Sequence, residues 1–268
     1  RLNMSDFDFQ FDVDADGVAT LTLDRPETLN SLTFDVYGQL ESLFVDLRSD
    51  DRVKAVVLTG AGKGFCSGGS VDEIIGPLLE RDLAGTLEFT RMTGAVVRNM
   101  LRLDKPIVAA VNGVAAGAGS VLALASDLRV MSERAKFAFL FTKVGLTGAD
   151  MGAAWLLPKV IGTGRAMEYL MLGDKIPAEE CLRIGLANRV VAAEAVLEQA
   201  KTLARRLATG PGLAIGMTKK MVWHEWPMDM DAAIEQEAQA QALLLRAGDH
   251  REFFDAWNEK REPKFEGR

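Results

Sequence analysis

The chain has 268 residues, of which 48% are hydrophobic and 26% are charged, and its formal net charge is -7. This length and composition are typical of a globular protein that buries a full core, and they exclude an intrinsically disordered chain. The acidic balance argues against general nucleic-acid binding, which requires a basic face opposite the phosphates. An anionic small ligand stays compatible with this charge, because a few local Lys or Arg side chains suffice to bind one.

Cysteine and histidine usage limits the chemistry that the chain can carry. Cys66 and Cys181 lie far apart in the sequence and predict neither a disulfide framework nor a cysteine metal site, which fits a reducing cytoplasm. His224 and His250 are the only histidines, which leaves few candidates for a zinc site or a His-dependent triad. We therefore expect neither a metal nor a cofactor held by the chain itself.

Three β-rich segments alternate with helical segments in the first part of the chain. They are VATLTL (18–23), AVVLTG (55–60) and IVAAVNG (107–113), whose near-continuous apolar content suits strands covered on both faces. Between the first two, residues 33–50 have the apolar spacing of a helix, and Thr33 is placed to cap it. This alternation predicts an α/β fold.

One apolar run, PIVAAVNGVAAGAGSVLALAS, is long enough to raise the question of a membrane span. Asn112 and several glycines interrupt it at the point where a strand would turn into a helix, so we interpret it as buried core and expect no membrane association.

The C-terminal part of the chain has a different pattern. After Asp150 the β signal nearly vanishes, apart from RVVA near Val190, and from Glu194 onward the sequence predicts consecutive amphipathic helices. We therefore expect residues 1–193 to form the core that holds the site and residues 194–268 to form a helical segment. Apolar faces on terminal helices usually need a partner, which predicts oligomerisation.

Two glycine-rich turns each follow a predicted strand and lead into a helix. They are KGFCSGGS (63–70) and NGVAAGAGS (112–120). Backbone N–H groups at such a helix start point towards a ligand, although neither turn matches the phosphate-binding or dinucleotide-binding patterns. Close packing of turn and helix explains either turn alone equally well. Two such turns favour a pair of N–H donors converging on one oxygen, which is an oxyanion hole.

The pairing of GKGFCSGGSVDEI with KPIVAAVNGVAAGAGSVLALASDLRV resembles the enoyl-CoA hydratase/isomerase (crotonase) superfamily. The segment LLPKVIGTGRAMEYLMLGDKIPAEECLRIGLANRVV and the ending FFDAWNEKREPKF are similar to it too, so the resemblance covers nearly the whole chain. It implies a repeated ββα spiral core, a C-terminal helical trimerisation segment and a homotrimer or dimer of trimers. It also implies a coenzyme A thioester as substrate, with no cofactor beyond that coenzyme A.

The resemblance also implies roles for particular residues of the two turns. Gly69 and Ala118 match the positions whose amides bind the thioester oxygen, and Ser67, Gly68 and Gly117 flank them as expected substrate contacts. Losing one such donor costs about 3 kcal/mol of transition-state stabilisation. The chain has Ser70 where the family usually has Asp, and because both residue types cap helices we expect the turn to survive.

Two glutamates that activate water in family hydratases have no counterpart here. Their positions are occupied by Val121 and Phe141, which counts against ordinary two-glutamate hydration. Asp150, in GADMGAAWLLP, is similar to the single acid of family isomerases that act on ring-derived enoyl thioesters. Local sequence alone leaves two interpretations equally open, a helix cap or an acid/base in a dry pocket. With the resemblance we favour catalysis.

The apolar residues around Asp150 predict how this carboxyl group behaves. We expect burial to raise its pKa, because desolvation disfavours the charged form. The residues expected to surround it are Phe139, Phe141, Leu146 and Trp155, with Phe141 and Trp155 also in contact with substrate. Phe137, Phe139 and Phe141 alternate as in a half-buried strand, and one of its faces is a candidate wall for an aromatic or cyclic acyl group.

Other reactions and other residues stay open at this level. Aryl-CoA dehalogenation is the weaker alternative. The resemblance implies that a dehalogenase would have a histidine on the helix before the strand IVAAVNG, and residues 91–94 contain none. Hydrolysis or an unusual hydration at Asp150 is a further alternative. Non-catalytic acyl-CoA binding is the alternative of another class. Arg25 and Lys260 match positions that meet coenzyme A phosphates, and Glu73 is a candidate second acid, although a solvated position is more usual for Glu.

Overall fold

Two β-sheets form the centre of the structure, a computed structural model that describes residues 7–268. The strands, in chain order, are β1 (Phe9–Val13), β2 (Val18–Leu23), β3 (Ala55–Gly60), β4 (Gly64–Cys66), β5 (Ile107–Val111), β6 (Val114–Ala116), β7 (Leu128–Ser132), β8 (Lys136–Ala138), β9 (Lys175–Pro177) and β10 (Arg189–Val191). Six of them form a sheet in the order β1-β2-β3-β5-β7-β10, and the other four form a sheet in the order β4-β6-β8-β9.

The strand order contains a repeat in which each unit contributes one strand to each sheet. The pairs β3–β4, β5–β6 and β7–β8 each place their first strand in the large sheet and their second in the small sheet. The neighbouring members of both series pair in parallel. β3 and β5 are buried along their whole length, as their continuous apolar sequence predicts. The predicted repeated ββα spiral is confirmed.

Helices cover both faces of the large sheet and continue to the C-terminus. They are α1 (Phe34–Asp46), α2 (Gly76–Leu79), α3 (Leu83–Arg102), α4 (Ala118–Ala125), α5 (Ala153–Ile161), α6 (Thr163–Leu172), α7 (Ala178–Arg183), α8 (Val196–Ala208), α9 (Gly212–His224), α10 (Met230–Leu244) and α11 (Gly248–Glu259). A π-helical turn, Val71–Ile75, leads into α2, and short 3₁₀ turns span Pro26–Thr28, Leu140–Val144 and Ala193–Ala195. The Thr33 hydroxyl caps α1 by accepting the Val36 amide at 3.2 Å, as predicted.

Helix α8 belongs to the core rather than to the separate helical segment predicted from residue 194. Its buried residues recur every four positions, so they lie along one face. That face packs on the large sheet against the inward side chains of β2, β3, β5 and β7. The packed core therefore ends near Ala208, and α9, α10 and α11 form the terminal helices.

Buried polar contacts attach α9 to the core. The Lys219 ammonium donates to the main-chain oxygens of Met100 and Lys105 and lies 2.8 Å from the Asp127 carboxylate. Asp127 in turn accepts the Ile107 amide at the start of β5. One charged side chain therefore connects α9 to the end of α3 and to the large sheet.

The structure departs from the predicted strand over residues 137–141. β8 ends at Ala138, where its partner β9 also begins, and the chain then enters the 3₁₀ turn that contains Phe141. Phe137 and Phe139 are fully buried and stack at 6.3 Å. Core packing therefore accounts for these two rings.

The long apolar run divides into β5, β6 and α4, which are almost entirely buried. Over residues 7–268, no helix combines the length and the apolar character that crossing a membrane requires.

Candidate active site

The first glycine-rich turn is held by the segment that precedes α1. The Ser67 amide donates to Leu29 O at 2.9 Å, and the Ser67 hydroxyl donates to Thr28 O at 2.8 Å. Leu32 N donates to Gly68 O at 2.8 Å, and Ser70 N donates to Leu32 O at 2.9 Å. The polar groups of Ser67, predicted to contact substrate, are thus engaged in holding the turn.

Strained backbone fixes this supporting segment. Leu29 and Asn30 have φ angles of 55° and 59°, in the left-handed region that L-residues rarely adopt. The buried Asn30 amide donates to the main-chain oxygens of Ala61 and Gly64, which lie on either side of the β3–β4 connection. Such strain persists only where surrounding contacts determine the conformation, and it is concentrated at functional sites.

The second glycine-rich turn packs directly against the first. Gly68 has φ +100°, and a Cβ on it would lie 3.1 Å from Ala116 O and 3.5 Å from Ala118 N. A Cβ on Gly119 would lie only 2.2 Å from Cys66 O, which is closer than any real contact. The predicted close packing of turn and helix is therefore present. It also brings the Ala118 amide next to the Gly68–Gly69 backbone.

Most polar groups of the second turn have partners inside the protein. Gly117 N donates to Ala138 O at 2.9 Å, and the buried Ser120 hydroxyl donates to main-chain oxygens of Ala115 and Ala138. Within residues 7–268, by contrast, the amides of Gly69 and Ala118 donate to no acceptor. Ala118 is the first residue of α4, so its amide also carries the positive end of the helix dipole. Both amides are available to a ligand oxygen.

Asp150 lies in a tight turn before α5, and it does not cap that helix. The N-cap is Gly152, and the Asp150 carboxylate accepts the Met151 amide at 2.9 Å. Asp150 O accepts Ala153 N at 2.8 Å across a turn in which Met151 and Gly152 have φ angles of 49° and 92°. The helix-cap interpretation is therefore wrong, and a strained Met151 holds the carboxyl group in place.

Burial raises the pKa of the Asp150 carboxyl group, and the hydrogen bond from the Met151 amide opposes that shift. Of the four residues expected to surround Asp150, two are largely exposed, Leu146 at 59% and Trp155 at 46%. Phe139 and Phe141 are buried. Trp155 instead stacks near Trp223, with the Lys159 ammonium 3.8 Å from its ring centroid.

Tyr37 connects the two halves of the site, although the sequence pattern predicts for it only a position on an apolar helix face. Its ring is 3% exposed and meets the Phe89 ring edge-on at 5.6 Å. Burial is the main cause of its raised pKa, and the nearby Cys66 thiol and Asp150 carboxyl group raise it further. Cys66 belongs to the first turn and interacts with the Gly68 amide. The Tyr37 hydroxyl is therefore close both to the first turn and to Asp150.

The remaining predicted residues lie around this centre with different partners. Arg25 and Glu73 form an ion pair at 2.6 Å, and the Arg25 hydrogen bond lowers the pKa of Glu73, which makes it a poor proton donor. Lys260 is exposed at the C-terminal end of α11. Val121 and Phe141 are buried. In the part of the chain described, no three or more His, Cys, Asp or Glu side chains form a potential metal site.

Comparison with known proteins assigns the chain to a family. Residues 14–268 match the family model described as enoyl-CoA hydratase/isomerase. The chain belongs to the enoyl-CoA hydratase/isomerase family. A crystal structure of a candidate enoyl-CoA hydratase from Streptomyces coelicolor A3(2) has a TM-score of 0.96 and 52% identity, covering 98% of this chain and 95% of that one.

Curated relatives in the enoyl-CoA hydratase/isomerase family carry different reaction names. The 1,2-epoxyphenylacetyl-CoA isomerase of Escherichia coli K12 is 39% identical, covering 94% of this chain and 96% of its own length. The (E)-benzylidenesuccinyl-CoA hydratase of Thauera aromatica is 35% identical, covering 93% and 96%. This chain is thus an enzyme of the family, whose named members include both isomerases and hydratases.

Proposed function

We propose that this enzyme moves a double bond within an enoyl-CoA thioester, using Asp150 as its single acid/base. The observation that carries the proposal is a partly buried carboxyl group with a raised pKa, near two backbone amides that have no internal acceptor. A base works best when its pKa approaches the working pH, and burial moves Asp150 in that direction. A relative that is 39% identical, the 1,2-epoxyphenylacetyl-CoA isomerase, also carries the name of an isomerase, which supports the isomerase class of reaction.

The proposed reaction has two proton transfers. The Asp150 carboxylate removes a proton from the carbon next to the thioester carbonyl, and the electron pair of that C–H bond moves into a dienolate. Its oxygen carries the negative charge and accepts hydrogen bonds from the amides of Gly69 and Ala118. Fixed donors of this kind stabilise developing charge without reorganisation. The protonated Asp150 then returns the proton to the γ carbon, so no other co-reactant is consumed.

The positions of the missing glutamates favour isomerisation over water addition. Val121 and Phe141 cannot hold or activate water, and both are buried apolar residues. Hydration at Asp150 alone is the second candidate, supported by the resemblance to a hydratase at 35% identity. Dehalogenation has less support because residues 91–94, in α3, provide no histidine.

Hydrogen exchange in deuterated water tests the proposal. The protein is mixed with a 3-enoyl-CoA, such as 1-cyclohexenylacetyl-CoA, and deuterium at the α and γ carbons is followed by mass spectrometry. Wild type is expected to exchange and isomerise, and Asp150→Asn to lose at least about a hundredfold in rate. Asp174→Asn, which changes an exposed aspartate that pairs with Lys143, serves as the matched control.

Other outcomes distinguish the alternatives. A 3-hydroxyacyl-CoA product from a 2-enoyl-CoA would favour hydration, and halide release from a haloaryl-CoA would favour dehalogenation. Tight binding without any exchange would mean a non-catalytic acyl-CoA-binding protein. Full exchange by Asp150→Asn would refute the assigned base.

Coenzyme A contacts and assembly are part of the same proposal. Arg25 and Lys260 bind the coenzyme A phosphates, the latter from a neighbouring subunit, while Trp155 and Phe141 line the acyl site. The chain forms a homotrimer or dimer of trimers in the cytoplasm. Exposed apolar residues on and near the terminal helices support assembly, among them Trp226, Met230, Ile234, Phe254 and Trp257. Sedimentation of a monomer at micromolar concentration would refute it.

A further inference from the structure

Tyr37 is the only polar side chain on the buried face of α1. The other buried residues of this helix are Val36, Leu40, Leu43 and Phe44. The Tyr37 ring packs edge-on against Phe89, which in turn packs edge-on against Phe34 at 5.1 Å. Because aromatic packing on this side fixes the ring, the position of the hydroxyl oxygen is fixed as well.

Within residues 7–268, the Tyr37 hydroxyl has no hydrogen-bond partner. Among the residues described, it makes no hydrogen bond, and the Asp150 carboxylate accepts the Met151 amide instead. The oxygen is not enclosed either, because the fully buried side-chain oxygens that lack a partner belong to Thr142 and Glu225. The Asp150 carboxyl group and the thiol of Cys66, which belongs to the first glycine-rich turn, both lie near enough to this hydroxyl to affect its pKa.

This hydroxyl remains protonated over the whole working range, since burial and its two neighbours raise the pKa of Tyr37 well above 10. It is consequently a neutral hydrogen-bond donor and not a base. When a ligand binds next to a buried donor, it displaces the water that was hydrogen-bonded to that donor. If the ligand offers no acceptor atom in its place, the donor is left without a hydrogen bond, which costs free energy. An acyl group made only of carbon and hydrogen would leave it in that state.

We infer that the Tyr37 hydroxyl donates a hydrogen bond to an oxygen atom of the acyl group, and so selects oxygen-bearing acyl-CoA thioesters. The inference rests on the proposed function, in which the two backbone amides bind the thioester oxygen. Tyr37 therefore recognises a different oxygen, on the part of the acyl group near Asp150. Tyr37 is a specificity-determining residue and takes no part in the proton transfer.

Binding of inert ligands tests this selectivity separately from catalysis. Cyclohexylacetyl-CoA is compared with its three analogues in which ring carbon 2, 3 or 4 is replaced by oxygen, by calorimetry on wild type and Tyr37→Phe. For at least one isomer, the preference for the ether over the carbocycle should be roughly 5–10-fold larger in wild type than in Tyr37→Phe. Tyr169→Phe, which changes the other tyrosine of the chain, should keep the wild-type preference.

Equal preferences in wild type and Tyr37→Phe for all three isomers would overturn the inference, whatever the exchange assay shows. Failure of wild type to bind any of the thioesters would remove the proposed function and the inference together. Loss of exchange with selectivity retained would remove only the proposed function.

A second measurement covers the case in which Tyr37→Phe does not fold. Tyr169→Phe labelled with 3-fluorotyrosine contains one fluorinated side chain, at Tyr37. Its ¹⁹F signal should shift further with the preferred ether than with the carbocycle. Identical shifts with all four ligands would overturn the inference.

Discussion

Replacing Gly119 by Ala should separate the two amides of the proposed oxyanion hole. Gly119 lies one residue after Ala118 at the start of α4, and its Cα faces Cys66 on the first turn. A Cβ on Gly119 would lie 2.2 Å from Cys66 O and 2.6 Å from Cys66 Cβ. Main-chain oxygen cannot rotate away as a flexible side chain would, so α4 or the first turn has to move.

The size of that movement follows from the contact distances. Ordinary van der Waals contact begins near 3.4 Å, so the 2.2 Å contact requires a shift of about 1.2 Å. A misplacement of about 1 Å in a catalytic group lowers the rate by roughly a hundredfold. We expect a loss of about that size in kcat/KM for isomerisation or exchange, together with about 1–3 kcal/mol of destabilisation from overpacking.

A matched glycine substitution separates this effect from a general loss of stability. A Cβ on Gly94, within α3, would have no atom within 4 Å, so Gly94→Ala should stabilise the helix by about 0.5–1 kcal/mol and retain activity. Exchange rates and urea unfolding are measured for both variants. If Gly119→Ala retained activity within threefold of wild type, the contact between the turns would not position the donors.

Three further predictions concern stability. Because burial raises the folded-state pKa of Asp150 above its unfolded value of about 3.9, wild type should lose stability as pH rises from that value through the folded-state pKa. Asp150→Asn should therefore be more stable than wild type at neutral pH in urea unfolding, and a difference that did not vanish below about pH 3.9 would contradict this cause. Ser70→Ala removes the hydroxyl that accepts the Glu73 amide at 3.2 Å and should cost about 1 kcal/mol in thermal unfolding, whereas Ser70→Asp should restore the cap. Lys219→Met leaves the Asp127 carboxylate buried without its cation and should lower the free energy of unfolding by about 3–5 kcal/mol. An unchanged urea midpoint would contradict that role. The double variant with Asp127→Asn should recover much of the lost stability.

The fold could be predicted from the sequence where local pattern and burial agree. The strands β2, β3 and β5 were predicted at the right places because both of their faces are covered, so their composition is continuous and apolar. The strands β4, β6 and β8 have only three residues each, and the first two lie within glycine-rich turns. Such a segment is too short to show a period, so the second sheet came only from the resemblance to a family.

The surface that covers α8 could not be predicted for a related physical reason. The small residues of α8, such as Ala200 and Ala204, give an amphipathic pattern that does not reveal what covers it. In the structure this face packs on the large sheet, where alanines allow close approach. The sequence pattern predicts that this face of α8 is buried. Which surface covers it depends on contacts between residues that are distant in sequence.

The candidate site shows the same limit more sharply, because its parts come from four distant segments. The two glycine-rich turns and Asp150 could be selected from glycine spacing and from a lone carboxyl group in apolar sequence, whereas Gly69 and Ala118 were assigned by the resemblance to a family. Tyr37 could not, because helical spacing assigned it to a buried face together with leucines and phenylalanines. What distinguishes it is an oxygen without an internal partner close to Asp150, and that depends on how α1 packs beside the two turns. A hydroxyl on an otherwise apolar helix face was the one signal available in the sequence. It supports a proposal about the substrate only together with the structure, in which no group of residues 7–268 accepts a hydrogen bond from this hydroxyl.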